Sequence, residues 1–278
     1  MVVLSGAKLI LVDVEADTMN LDPALIEAAV TPKTKAIIIV HQFGHAAAMD
    51  EILEIAKKYN LIVIEDNAEA LGGKYKGQML GTLGDVSCFS FFANKILTTG
   101  EGGMILSNDS ELATRIRTLR DHGMSAEKKY HYKEIGYNYR MTNMQAAIGV
   151  AQLEKLNDTL NIRNDQMDLY YKLLADVDSL NLRKFKNWTS PVHWLLTIQL
   201  KSMNREKFIE VMSSNGIECR PMIFPVYHGK HFRELFSPEN FPAAEAIYKS
   251  SVHLPSSTKL TNNEIEMISN TVKKVLAE

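Results

Sequence analysis

The chain predicts an α/β fold: a mostly parallel sheet with helices packed on it, followed by a smaller α+β region. Three observations carry that prediction. Short apolar runs alternate with helical stretches from residue 8 to residue 65, the order that gives a parallel sheet. One of those runs, Leu61-Ile62-Val63-Ile64, is apolar at four consecutive positions, as in a strand buried on both faces. Beyond about residue 160 the order changes to strand, helix, extended segment and two helices, which suits a separate small domain.

The elements follow in turn. Lys8 to Val14 reads as a strand. Asp22 to Val30 reads as a helix, with Asp22 as cap and Pro23 at the first position. Lys35 to Val40 is the next strand. Asp50 to Tyr59 is an amphipathic helix with Ile52, Leu53, Ile55 and Ala56 on one face. Leu61 to Glu65 is a strand. The glycines at 72, 73, 77, 81 and 84 mark turns leading into a strand pair on either side of Lys95.

Ser110 to Leu119 reads as a helix, and 124–140 as an irregular excursion rich in Tyr, Lys and His. A helical pattern restarts at Met144 and continues towards Leu174. Pro191 to Leu200 reads as a strand, and Arg205 to Ser214 as a helix closed by Asn215-Gly216. Glu218 to Pro225 is extended; Ala243 to Ser250 and Thr261 to Leu276 are helices. The division is 1–159 for the large domain and 160–278 for the small one.

Bulk properties narrow the function. The chain has 278 residues, 46% of them apolar, enough for one large core or two smaller ones. Its net charge of −2 comes from mixed charges, with no basic face for nucleic acid. Cys88 and Cys219 sit in or beside apolar runs and read as reduced core residues. No apolar run approaches membrane-spanning length and nothing resembles a signal peptide, so a cytoplasmic protein is expected. His41, His45 and His122 match no metal-ligand spacing.

Chemistry concentrates around Lys95. The apolar run Cys88 to Phe92 breaks off at this lysine, and Thr98-Thr99-Gly100-Glu101-Gly102-Gly103 follows as a turn. A lysine held between buried strands loses hydration and basicity, which suits an amine that attacks a carbonyl. Asp66 falls at the carboxyl end of the apolar strand, where α/β sheets place ligand sites. A carboxylate there can keep a pyridinium nitrogen protonated, and a lysine can form a Schiff base with an aldehyde. A pyridoxal phosphate site needs both groups. Asp66 also suits a helix N-cap.

Three motifs are distinctive. They are Glu65-Asp66-Asn67-Ala68-Glu69-Ala70-Leu71-Gly72, Phe89-Ser90-Phe91-Phe92-Ala93-Asn94-Lys95, and Gly100-Glu101-Gly102-Gly103-Met104. With His122-Gly123-Met124 and Ile135-Gly136-Tyr137-Asn138-Tyr139-Arg140-Met141-Thr142, they resemble the DegT/DnrJ/EryC1/StrS family over nearly the whole chain. These are pyridoxal-phosphate aminotransferases that act on nucleotide-linked keto sugars. The resemblance implies the type I aminotransferase fold and a homodimer with shared sites. It also implies a ping-pong reaction that takes an amino group from L-glutamate. The wording around Lys95 is similar to a branch that aminates C4 of a GDP-linked 4-keto-6-deoxymannose. A UDP- or dTDP-linked keto sugar is the alternative, and a non-catalytic dimerising remnant is the alternative of another class. The family's dehydratase offshoot carries a histidine where Lys95 stands.

The family's chains begin well before a segment like Ala7 to Asp13. The earlier part carries early strands and a Gly-Thr loop at a helix N-terminus that binds the cofactor phosphate. No Gly-Thr helix start stands near residue 1, so an N-terminally truncated large domain is expected.

The resemblance also implies roles. Lys95 would hold the cofactor aldehyde and carry the proton; Asp66 would pair with the pyridine nitrogen; Ala68 would lie against the ring, or be a structural alanine. Glu69 would sit near the phenolic oxygen, though it also reads as a solvated helix glutamate. Ser90 would bind the phosphate, or be a strand serine with a backbone partner. Asn138 would reach the phosphate from the other subunit, and Arg140 would serve the interface or sugar diphosphate, or an ordinary ion pair. Arg220, Phe224, Tyr227 and His228 form a polar and aromatic cluster for the sugar nucleotide, or a packed loop.

Overall fold

A computed structural model describes residues 1–277 of the chain. The expected strand at 8–14 does not form: only Val14 makes a bridge, antiparallel to Leu21. A strand needs ladder partners for its N–H and C=O groups; here the backbone meets only the local turn, with Asp22 N–H donating to Asp13 O, while the Asp13 side chain reaches across the fold. That buried carboxylate accepts from the Ala243 and Ala244 N–H groups at 2.9 and 3.0 Å. It thereby caps, from across the fold, a helix whose own N-cap residue, Phe241, makes no side-chain cap bond.

Helix α1 (Pro23–Ala29) starts as its sequence requires, with the Asp22 carboxylate accepting from Ala24 N–H at 2.9 Å, a cap worth about 1 kcal/mol. Strand β1 (Ala36–Val40), helix α2 (Met49–Tyr59) and strand β2 (Ile62–Asp66) follow. The hairpin of β3 (Lys74–Tyr75) and β4 (Gln78–Met79) leads to β5 (Val86–Ser90) and β6 (Gly103–Ser107). The main sheet has the order β1-β2-β5-β6. Its first three strands are parallel, and β6 returns antiparallel to β5. The connection from β5 to β6, residues 91–102, holds no helix to carry the chain back across the sheet, so it returns as an antiparallel neighbour.

Helix α3 (Ser110–Arg120) and the irregular 124–140 excursion come next. The single helix expected from Met144 to Leu174 is two, α4 (Asn143–Leu153) and α5 (Leu156–Leu174). The chain bends at Lys155, where φ is −105° and ψ is 9°. The bend leaves Gln152 on the loop that carries Lys95, bonded to both backbone groups of Thr98. Helix α5 then turns away, and Met167, Tyr170 and Leu174 enter the C-terminal core.

That core is built on strands β7 (Leu180–Leu182), β9 (Leu196–Leu200), β10 (Arg220–Pro221) and β11 (Ser251–Leu254), in the antiparallel order β10-β11-β9-β7. Helices α6 (Arg205–Ser214), α7 (Pro242–Ser250) and α8 (Asn262–Ala277) complete it. The strand read over Pro191 to Leu200 is confined to β9. Thr189 and Ser190 form β8 on the β3 hairpin. Pro191 has no N–H to give a ladder, and Trp194 N–H turns back to the Val192 carbonyl at 2.9 Å.

Apolar side chains gather into three clusters. One packs β1 and β2 against α1 and α2 through Ile26, Ile39, Ile52 and Val63. The largest lies among α5, α6, α8, β9 and β11. A third, small cluster joins Met19, Phe43, Trp194, Met222 and Ile247, with Ile96 and Tyr248 against it. This last one underlies the lysine loop. Among the described residues no helix is long and apolar enough to cross a membrane.

Candidate active site

The carboxyl end of β2 builds one wall. Register places Asp66 between Val40 and Cys88, and its Oδ1 accepts from Ala68 N–H at 2.9 Å. Residues 68 and 69 form a turn and no helix follows. Asp66 is therefore not a helix cap, and Glu69 is not a solvated helix glutamate. Glu69 is half-buried, and its Oε2 accepts from Phe43 N–H at 2.6 Å. Burial raises its carboxyl above the usual range and Asp66 adds to the rise, while the Phe43 N–H, Lys95 and Arg183 oppose it. Phe43 makes this bond from a left-handed backbone, φ 48°.

The loop between β5 and β6 builds the facing wall. Phe91 N–H reaches Gly102 O, and Thr99 N–H reaches Phe91 O, both at 2.9 Å. These bonds, with Gln152 on Thr98, make the loop a closed structure and not a loose excursion. Half-buried Lys95 stands on it, and burial lowers its basicity. Glu69 and Asp66 are near enough to counter that effect. Its Nζ lies 3.8 Å from the centroid of the Trp194 ring, and the Trp194 indole N–H donates to Asn94 O at 2.7 Å.

The structure thus brings Lys95, Asp66 and Glu69 together, with Ala68 between the two carboxylates in the chain. Ser90 ends β5, and its Oγ accepts from Phe92 N–H at 3.3 Å, a backbone partner. Asn138 and Arg140 are exposed and bonded to each other, and Arg140 pairs with Asp121 at 3.3 Å.

Phe224, Tyr227 and His228 gather against α7, whereas Arg220 stands on β10 opposite His253 of β11. Arg220 and Phe224 are exposed, and the Phe224 ring meets Tyr248 edge-on at 5.8 Å. Tyr227 is buried, stacked on Phe241 at 4.7 Å, and its hydroxyl donates to Glu245. His228 Nε2 reaches the same Glu245 oxygen at 2.8 Å. These last two side chains are committed to the fold, whereas Arg220 and Phe224 face outward.

Sequence reading missed Trp194, Phe43 and Arg183. The buried Arg183 donates to Thr18 O and lies 5.9 Å from the ring centroids of Phe43 and Phe185. Burial pushes it down to about 10. His45, His193 and His253 are lowered to about 4, by burial first, with Arg183 contributing to each. No local pattern marks Trp194, because its partner Asn94 lies 100 positions away.

His41 has a structural role. Its Nδ1 accepts from Ala47 N–H, so Nε2 carries the proton and donates to Glu65 at 3.1 Å. Glu65 also accepts from the N–H groups of Gly81, Leu83 and Gly84. Burial would raise its carboxyl, but the bonds from His41 and these backbone groups hold it below the usual range. The pair pins the 81–84 turn beneath the end of β2.

Comparison with known proteins identifies the family. Two curated GDP-perosamine synthases are similar. That of Caulobacter vibrioides is 42% identical over 98% of this chain and 74% of its own length; that of Escherichia coli O157:H7 is 38% identical over 99% and 74%. A solved DegT DnrJ EryC1 StrS aminotransferase from Brucella abortus superposes with a TM-score of 0.92 at 28% identity, covering 100% of this chain and 76% of that one. A Streptococcus pneumoniae chain provisionally assigned as a sugar aminotransferase, solved in its PLP form, gives 0.93 at 28%, covering 99% and 77%. The model of the DegT/DnrJ/EryC1/StrS aminotransferase family matches residues 1–273. The chain belongs to that family of pyridoxal-phosphate-dependent sugar aminotransferases.

Proposed function

We propose that the chain transfers an amino group from L-glutamate to C4 of a GDP-linked 4-keto-6-deoxy sugar. The observation that carries this reading is the meeting of Lys95, a half-buried amine of lowered basicity, with Asp66 and Glu69 at the carboxyl end of a parallel strand. The GDP assignment draws on two relatives, 42% and 38% identical, that are GDP-perosamine synthases. A UDP-linked sugar is the second reading, supported by a 29% identical Campylobacter jejuni transaminase named for a UDP-linked amino sugar.

The residues suit the cofactor. Pyridoxal phosphate, when bound, supplies an aldehyde for the amino group and an electron-withdrawing ring. Lys95 Nζ is the amine that would hold that aldehyde, and, once free, the base that moves a proton at the reacting carbon. Asp66 would hold a proton at the ring nitrogen. Ala68 would leave room for the ring face. Glu69, with its raised carboxyl, would share a proton with the phenolic oxygen. Ser90 Oγ would donate to the phosphate. Arg220 would bind the sugar diphosphate and Phe224 would stack on the base or sugar, with Tyr227 and His228 shaping that segment.

Asn138 and Arg140 would act on the site of a second copy, in a homodimer. Exposed Ile135, Tyr137, Tyr139 and Met144 around them support an associating face. The domain division at 159/160 falls within α5, whose Leu160 lies over Gly72 while its later turns enter the C-terminal core.

Purified protein given pyridoxal phosphate should develop a visible absorbance band, and borohydride should fix the label on Lys95. Amination rates on GDP-, UDP- and dTDP-linked 4-keto sugars then separate the nucleotides. A preference for UDP or dTDP would sink the GDP assignment, and absence of label on Lys95 would sink the site.

A further inference from the structure

Trp194 has almost no freedom. It is 5% exposed, and each of its polar groups has a partner. The indole N–H donates to Asn94 O at 2.7 Å, and the backbone N–H to Val192 O at 2.9 Å. Its carbonyl accepts from Arg163 Nη1 at 3.2 Å and Ser256 Oγ at 3.3 Å. The ring stacks on Phe43 at 6.4 Å between centroids, and Phe43 N–H in turn holds Glu69. Residues from α5 and from the segment after β11 thus fix a ring that lies against the lysine loop.

Lys95 is the contrasting partner. A lysine stem is flexible and its ammonium is a compact charge that seeks carboxylates. Two carboxylates, Asp66 and Glu69, act on it. Yet among the described residues no ion pair joins Lys95 to either. Its Nζ lies on the Trp194 ring instead, at 3.8 Å, well inside cation–π range.

We propose that Trp194 is the positioning residue for Lys95: its ring face holds the amine off the Asp66 and Glu69 carboxylates, and its N–H fixes the turn that carries the lysine. The functional meaning rests on Lys95 being the amine that takes the cofactor. An amine locked in an ion pair stays protonated and cannot attack an aldehyde; one parked on a ring can lose its proton and be presented.

The magnitudes set the direction of the test. A ring face favours the ammonium by about 0.4 to 1.5 pH units. A carboxylate in contact favours it by about one to three units. Removing the ring therefore raises the Lys95 midpoint on balance, because the amine falls onto a carboxylate.

The experiment labels the lysines of the whole, cofactor-free chain by reductive methylation with 13C-formaldehyde and titrates them by NMR. Lys95→Arg assigns the resonance. The expected result is an upfield ring-current displacement of the Lys95 methyls that disappears in Trp194→Leu, with a midpoint about one unit higher in that variant. Trp194→Phe keeps a ring face and guards against a failure to fold; it should retain most of the displacement and a near wild-type midpoint. A Lys95 resonance with the same shift and midpoint in wild type and Trp194→Leu would overturn the proposal, as would loss of the displacement in a folded Trp194→Phe. Borohydride trapping of pyridoxal phosphate reads the other premise separately. Label on Lys95 with no Trp194 effect defeats this inference alone. A Trp194 effect with no label on Lys95 defeats the functional reading and leaves the contact standing.

Discussion

Phe43 donates its backbone N–H to Glu69 at 2.6 Å across 26 positions of sequence, and it does so from a left-handed conformation. The bond ties the loop after β1 to the turn after β2. Glu69→Ala would leave that N–H without its acceptor, at a cost of about 1–3 kcal/mol, read as a lower urea midpoint. Glu69→Gln keeps an acceptor and should be nearly as stable as wild type. It removes one of the two charges that raise the Lys95 pKa, so the NMR midpoint of Lys95 should move to lower pH. An unchanged or higher midpoint would contradict the juxtaposition.

Glu65 should prove more important for stability than for chemistry. It is fully buried and accepts from His41 and three backbone N–H groups. Glu65→Leu would leave those donors unpaired and should cost about 3–5 kcal/mol, measured by equilibrium unfolding. A loss below about 1 kcal/mol would show that the 81–84 turn does not depend on this carboxylate.

Acid should unfold the protein over a defined window. His45, His193 and His253 titrate near 4 in the fold, below their ordinary 6.5. The unfolded chain therefore binds protons first as pH falls. Stability is full above about pH 6.5 and is lost progressively towards pH 4. His253→Asn should flatten that slope, seen in thermal midpoints taken at half-unit pH steps. A wild-type melting curve independent of pH across the window would refute the depressed values.

Arg220 and Tyr227 should separate cleanly. Arg220→Ala should raise KM for the nucleotide sugar by roughly tenfold or more, the loss expected for a charge-assisted contact, and leave cofactor labelling of Lys95 intact. Tyr227→Phe removes only a hydroxyl bonded to Glu245. It should cost about 1 kcal/mol of stability and leave KM unchanged. Steady-state kinetics with the GDP-linked keto sugar checks both; equal KM effects would place Tyr227 at the substrate.

Much of the fold was legible before the structure. The Asp22 cap, β1, α2, α3 and α6 fall within a residue or so of their expected limits, because caps and hydrophobic period are local signals. The misreadings share one cause. Lys8 to Val14 and Pro191 to Leu200 look like strands by composition. Asp13, however, spends its carboxylate on α7, and Trp194 turns onto the lysine loop. Such partners are invisible to a window of neighbours.

The sequence alone determined the α/β alternation, the lysine between two apolar runs and the aspartate at a strand's end, and its motifs carried the resemblance to the family and to its cofactor chemistry. Each of these is a pattern over a few consecutive residues, dictated by backbone periodicity and by the residue types the chemistry requires. Only the tertiary structure decided that Glu69 is held by Phe43, that Trp194 faces Lys95, and that Tyr227 belongs to the core while Phe224 faces outward. Those outcomes depend on which distant side chains share a small volume when the sheets and helices close. A short stretch of sequence carries no record of that.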